Sequence, residues 1–319
     1  MSAFPIAFPT PPSHGILIVT AGVFALLLIA TLWIEILWRR APGKETRHLQ
    51  KRIRSWWFIC ILFLGAILAG GRSGVLLFTL LSYLAFKEYV SLIPFRQVDR
   101  RALFWAYLAI PIQYMLVGIT WYGMFMIFIP VYMFLIIPMR MVSLQEPRGF
   151  LATVGMIHWG LMITVFCLSH AAWLFVQPLA GMPPGTSGGV VLFLVGLTEI
   201  NDIAQFIWGK SLGRTKILPG ISPGKTWAGL LGGVVTTAIC AAALAPLLTP
   251  LSRLTALLIG ALIGLFGFLG DVTVSALKRD LGIKDSGALL PGHGGILDRI
   301  DSLLFTAPLF MHFLRYYYG

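Results

Sequence analysis

The sequence predicts an all-α, polytopic integral membrane protein with nine or ten transmembrane helices. Three observations carry that prediction. Hydrophobic residues make up 58% of the 319, charged residues only 11%, and the mean hydropathy is +0.86; a water-soluble domain carries roughly 25% charged residues. The apolar residues fall in long blocks, and about 20 apolar helical residues cross a hydrocarbon core about 30 Å thick. The blocks do not alternate with a period of two, which excludes the strands of a membrane barrel.

In chain order the predicted spans are 15–38, 56–70, 74–93, 102–118, 121–138, 151–176, 188–208, 228–249, 254–271 and 300–316. The second and last are short, which leaves the count at nine or ten. Residues 1–14 contain four prolines and read as an irregular tail. No Lys or Arg precedes Gly15, so the first block lacks the basic start of a cleaved signal and reads as a retained helix. Pro178, Pro183 and Pro184, with Gly181, Gly185, Gly188 and Gly189, mark one loop. Charged residues at membrane depth cluster in the second part. The chain therefore divides into scaffold helices over 1–190 and a region 191–319 with polar loops at 209–227 and 272–299.

The net charge is +12. The Lys and Arg residues concentrate in 39–55, 94–101, 139–149, 209–227 and 272–299, all on one side if ten spans start from an external N-terminus. Only Arg72, Arg253 and Arg315 fall on the other side, and Lys87 snorkels at the inner end of its span. The positive-inside rule and anionic headgroups account for this pattern, and nucleic acid is not an expected partner. Cys60, Cys167 and Cys240 are scattered through apolar spans, and give neither a disulfide framework nor a zinc site.

The polar chemistry gathers in two places. If the span ending at Asp271 continues as a helix, Asp271, Ser275 and Lys278 share a face at i, i+4 and i+7, with Arg279 beside them. Lys284 follows, then Gly292-His293-Gly294-Gly295, then Asp298 and Asp301 at i, i+3. An Asp271–Lys278 ion pair or simple helix capping by Asp298 and Asp301 would also explain parts of this stretch. Taken together, Asp271, Asp298 and Asp301 offer oxygen donors for Mg2+, which binds through a few carboxylates plus substrate phosphates. The glycines let backbone amides approach a phosphate, and His293 could hydrogen-bond one. Upstream, Gly260 and Gly264 form a GxxxG step read as helix packing.

The second place is 199–227. Glu199 and Asp202 are acids at membrane depth, which default to functional roles, and Lys210 follows at a similar helical phase. Ser222-Pro223-Gly224-Lys225-Thr226 ends like a phosphate-binding P-loop, but the first glycine is missing at the required spacing. What remains is a Gly/Ser/Thr/Lys loop ahead of a helix, which binds anions, or else a basic topogenic loop. His158 and His170 read as core residues. Glu35, Lys87 and Glu88 read as interface residues at the inner ends of their spans.

The run Ser275-x-x-Lys278-Arg279, Lys284-Asp285, Pro291-Gly292-His293-Gly294-Gly295, Asp298-Arg299-x-Asp301 resembles the signature of the phosphatidate cytidylyltransferases, the CDP-diacylglycerol synthases. Ser222-Pro223-x-Lys225-Thr226 is similar to a second element of that family, as is Asp202 with Gly209-Lys210. The resemblance covers about residues 195–305. It implies Mg2+-dependent condensation of CTP with phosphatidate to CDP-diacylglycerol and pyrophosphate; the Lys and Arg distribution places the site on the cytoplasmic face of the membrane, expected to be a bacterial inner membrane. It also implies a catalytic set of Asp271, Lys278, Arg279 and Asp298, and metal at Asp271, Asp298 and Asp301. Ser222, Lys225, Thr226, Ser275, Lys284, His293, Asp202 and Lys210 are implied in phosphate or substrate binding. A homodimer is left open. Asn201-Asp202-Ile203-Ala204-Gln205-Phe206 and Ala228-Gly229 depart from the family pattern, on the nucleotide or lipid side. A CTP-dependent lipid kinase, a cytidylyltransferase for another anionic lipid and a transporter are the competing expectations.

Overall fold

The computed structural model describes residues 12–41, 43–97, 99–143, 145, 147–183, 186–287, 289 and 294–319. Among the described residues ten helices form the bundle: α1 (His14–Arg40), α2 (Lys44–Leu68), α3 (Gly71–Leu92), α4 (Arg100–Gly118), α5 (Tyr122–Val142), α6 (Phe150–Trp173), α7 (Gly188–Leu212), α8 (Trp227–Leu248), α9 (Arg253–Asp280) and α10 (Leu297–Tyr318). They correspond one for one to the ten predicted spans. Seven of them, all but α2, α4 and α10, are long and apolar enough to cross a membrane. The other three open on charge: Lys44 to Arg54 in α2, Arg100 and Arg101 in α4, and Asp298, Arg299 and Asp301 in α10.

The helix ends follow local chemistry. Ser13 and Ser252 cap α1 and α9, their hydroxyls accepting from the Ile16 and Thr255 amides at 3.3 and 3.2 Å. Thr226 caps α8, its hydroxyl accepting from the Gly229 amide at 3.1 Å. Within α5 the backbone widens to a π-helical stretch at Phe128–Met133, where Pro130 cannot donate to the ladder. At the end of α9, Gly282 takes a left-handed φ of 69°. Its amide donates to the Arg279 carbonyl and the Ile283 amide to the Lys278 carbonyl, which stops the helix with its last carbonyls satisfied.

The polar segment 209–227, expected as a loop, contains a small antiparallel hairpin. Strands β1 (Lys216–Leu218) and β2 (Ser222–Thr226) pair with Lys216 opposite Thr226 and Leu218 opposite Ser222. Helices α7, α8, α9 and α10 pack successively on one another. Gly260 and Gly264 of α9 lie against the backbone of α8 at Ala238 and Val234, which realises the packing role expected of that step. At Gly270, α9 comes so near α10 that a Cβ would overlap the Asp301 carbonyl. Helix α10 also packs on α3 and α6, so it joins the two parts of the chain.

Immediately before α4, Asp99 is buried and clamped by Arg96, whose Nη2 and Nε donate at 2.8 and 3.1 Å and whose backbone amide donates at 3.0 Å. Burial alone would raise the Asp99 carboxyl, but these hydrogen bonds and the guanidinium charge outweigh it and hold the pKa below its ordinary 3.8. The clamp closes the turn that leads into α4.

Candidate active site at one end of the bundle

Helix α9 does continue through Asp271 to Asp280, so Asp271, Ser275 and Lys278 stand on one face, as their spacing predicted. Their partners rule out the alternative of an Asp271–Lys278 ion pair. The Ser275 hydroxyl donates to Asp271 Oδ1 at 3.3 Å. Asp271 Oδ2 is paired with Lys225 of the hairpin, not with Lys278. Lys225 also donates to Gln205 Oε1 at 3.0 Å and lies 5.7 Å from the Phe268 ring centre. Lys278 reaches instead across to α10, where its Nζ donates to Asp298 Oδ1 at 2.7 Å in a buried pair.

Asp298 is enclosed on its other oxygen as well. Oδ2 accepts from the Ser286 amide at 2.9 Å and the Gly295 amide at 3.1 Å. Gly294 makes room for this, with φ at 81° and space for a Cβ only 2.6 Å from Asp298 Oδ2. One turn along α10, Ser302 links two further carboxylates: its amide donates to Asp301 Oδ1 at 2.7 Å and its hydroxyl to Asp202 Oδ1 at 3.1 Å. The close contact at Gly270 sets Asp301 beside Asp271. The charges of Asp202, Asp271 and Asp301 act on one another across this junction, and Glu199 adds a fourth carboxylate within electrostatic reach.

The remaining expected residues are spread around this centre. The Arg279 guanidinium ties the hairpin to α9 by donating to the carbonyls of Ile221 and Ile283, each at 3.1 Å. Ser222 is half-buried on the hairpin, and buried Thr226 acts as the α8 cap. Lys284 is exposed, and Lys210 lies 5.9 Å from the Phe206 ring centre. His293 lies outside the described residues. Sequence reasoning missed Ser302, Ser286 and Glu88, and held Gln205 only as a departure from the family pattern. Glu88, expected at a lipid interface, accepts hydrogen bonds from Ser286, Ile296 and Leu297. A signal existed: a carboxylate in the last turns of α3 opposes the dipole of its own helix and needs another partner.

Among the described residues, no three acidic, imidazole or thiol groups are spaced to hold one metal ion by themselves. In particular, both carboxylate oxygens of Asp298 already accept hydrogen bonds, from Lys278 and from two amides. The donor chemistry at that junction nonetheless fits magnesium. Asp202 and Asp301 each keep one carboxylate oxygen without a hydrogen bond among the described residues, and this ion takes one or two carboxylates plus phosphates and water. A cavity of about 510 Å3 opens at the opposite end of α10, lined by Tyr122, His312, Arg315 and Tyr316. Seventeen residues of helix separate Asp298 from Arg315, about 25 Å at 1.5 Å per residue, so the cavity plays no part in this centre.

Hydroxyls, ammonium groups and carboxylates meeting at the rim of an apolar bundle suit a phosphorylated nucleotide and a lipid phosphate arriving from two phases. Comparison with known proteins agrees. The profile of the cytidylyltransferase family matches residues 50–317. The chain belongs to the cytidylyltransferase family. It is a nucleotidyltransferase embedded in a membrane. A relative in Escherichia coli K12, named "Uncharacterized protein YnbB", is 51% identical over 297 residues, 93% of this chain and 97% of that protein. The "Phosphatidate cytidylyltransferase" of Staphylococcus haemolyticus is 30% identical over 253 residues, 78% of this chain and 92% of its own length. That of Synechocystis is 52% identical over a shorter stretch of 114 residues, 35% of this chain and 39% of the relative. Within this cytidylyltransferase, the described motif residues that suggested the family are those the fold draws to one end.

Proposed function

We propose that this cytidylyltransferase transfers the cytidylyl group of CTP to phosphatidate, forming CDP-diacylglycerol and pyrophosphate at the cytoplasmic face of a bacterial inner membrane. The observation that carries the reading is the junction of Asp202, Asp271 and Asp301 with Lys225 and Ser275, beside the Lys278–Asp298 pair. A phosphate oxygen of phosphatidate, ionised at neutral pH, attacks the α-phosphorus of CTP. The bond from that phosphorus to the bridging oxygen breaks, and pyrophosphate leaves with the electron pair, so no strong general base is required. The barrier is repulsion between anions and the charge gathering on the leaving group.

Lys225 is the ammonium group suited to the triphosphate, since its present partner Asp271 is only partly buried and its stem is anchored in the hairpin. Ser275 and Ser222 offer hydroxyls, and Arg279 holds the hairpin tip in place while presenting its remaining N–H groups outward. Lys278 is fixed in place by Asp298 and directs its ammonium group toward the same end of the bundle. Lys284 and Lys210 are further phosphate contacts from the adjoining segments, and the resemblance gives His293 the same role. One or two carboxylates from among Asp202, Asp271 and Asp301, completed by phosphate and water oxygens, would hold Mg2+, which would neutralise phosphate charge and polarise the leaving group.

A second reading, transfer to a different anionic lipid, is favoured by one observation. Gln205, which departs from the family pattern, contacts Lys225 directly, and Asn201 is buried one turn away. The test uses purified protein in lipid nanodiscs with CTP labelled at the α- or γ-phosphorus and a panel of anionic lipids. Label from α-labelled CTP should enter phosphatidate, stop on chelation and return with Mg2+. Entry of the γ-label would make the protein a lipid kinase. Entry of α-label only with another lipid would replace phosphatidate by that lipid.

A further inference from the structure

We propose that Glu88 of α3 is a positioning residue for the transfer reaction, acting on Lys278 through the segment that carries Ser286, Gly295 and Asp298. The inference rests on the site reading given above and assigns part of that site to the region expected to be scaffold.

The geometry is specific. Glu88 Oε1 accepts from the Ser286 hydroxyl at 2.5 Å and the Leu297 amide at 3.0 Å, and Oε2 accepts from the Ile296 amide at 2.8 Å. These contacts join residues 198 to 209 positions apart in the chain. Two of them satisfy amides at the start of α10 that have no partner within their own helix. The negative charge also suits that helix's positive end, which compensates for its poor placement at the end of α3.

Glu88 and Asp298 grip the same short stretches of chain. Ser286 gives its hydroxyl to Glu88 and its amide to Asp298. Gly295 gives its amide to Asp298, and the next amide, from Ile296, goes to Glu88. The adjoining glycines leave no slack: a Cβ at Gly295 would overlap the Glu88 carboxylate, and one at Gly287 would stand 2.9 Å from its Oε2. Asp298 in turn holds the Lys278 ammonium. A continuous chain of charge-assisted bonds therefore runs from Glu88 through Ser286 to Asp298 and Lys278. Such bonds are short and directional, so loss of the first lets the last relax. Glu88 touches no substrate and acts only by fixing where Lys278 stands.

The test compares wild type with Glu88→Ala, Glu88→Gln, Ser286→Ala and the double variant Glu88→Ala/Ser286→Ala. Each is assayed for transfer of α-label from CTP, for thermal unfolding in detergent and for hydrogen exchange at the Ile296 and Leu297 amides. Displacement of a positioned group by about 1 Å costs on the order of a hundredfold in rate. Glu88→Ala should therefore lower kcat by about tenfold or more while KM for CTP stays within about threefold. Glu88→Gln, which keeps the size and one acceptor, should recover part of the rate if the alanine variant folds poorly. Ser286→Ala should give a smaller loss of the same kind, and the double variant should be no worse than Glu88→Ala alone. Unchanged kcat in both Glu88 variants, additive losses, or losses that merely track the folded fraction would overturn the proposal. Wild type that transfers no label would end the functional reading instead. In that event, faster exchange of the two amides in Glu88→Ala still upholds the tether, and unchanged exchange removes it.

Discussion

Lys278 and Asp298 retain only 11% and 7% side-chain exposure, and each supplies the other's countercharge. Removing one partner of such a buried pair typically costs about 3–5 kcal/mol, because the other is stranded. Asp298→Ala should therefore abolish transfer and lower unfolding stability by about that amount. Asp298→Asn keeps an acceptor for the Ser286 and Gly295 amides, so it should lose less stability while activity falls comparably. Denaturant unfolding in detergent, read beside kcat, separates the two effects. The identities of these residues were legible in the sequence, but their pairing was not. Helical phase put Asp271 and Lys278 on one face, with a pairing between them as an alternative. Proximity along α9 cannot compete with Lys225 and Asp298, which arrive from the hairpin and α10. The same limit applies to Asp298: i, i+3 spacing to Asp301 describes a helix face, and says nothing of the Lys278 ammonium and loop amides that reach its carboxylate.

Among elements, the hairpin and the segment ahead of α10 decide how the end of the bundle is shaped. Pro223 and Gly224 are poor strand residues, so propensity pointed to a loop, and the short edge pairing of 216–226 won because its ends are tied down. Trp227 donates to the Thr215 carbonyl, and Arg279 donates to Ile221. Two left-handed glycines give a controlled comparison. Gly282 has φ of 69° and nothing within 4 Å of the place a methyl group would take, whereas Gly294 has φ of 81° and the Asp298 carboxylate at 2.6 Å. Alanine at Gly282 should cost only the backbone term, about 1–2 kcal/mol, with activity kept. Alanine at Gly294 should cost more and lower kcat, because the carboxylate that holds Lys278 must move. Thermal unfolding and steady-state rates on the two variants test this.

At the scale of the whole molecule, hydropathy was a faithful guide because a bilayer admits few alternatives to long apolar helices. All ten rods were visible as blocks, and α7 runs unbroken past Glu199 and Asp202, unlike the interrupted helices that a transporter reading requires. Sidedness is testable directly. If the basic loops face the cytoplasm, Lys284→Cys should react with an impermeant thiol reagent only in inverted vesicles, and Gly181→Cys only in intact cells; the reverse pattern would turn the protein over. Contacts between the early and late helices left no trace in local composition. The position of Glu88 at the end of α3 signals that it needs a partner, but not that the partner lies some two hundred residues away.

That long-range bond has a consequence for dissection of the gene. A break in the 178–187 connection would separate two polypeptides, the second carrying nearly every motif residue yet lacking the acid that caps its last helix. Expressed alone, that later fragment should be inert; produced together with its missing companion, it should regain turnover, and a companion bearing Glu88→Ala should restore assembly without restoring the rate.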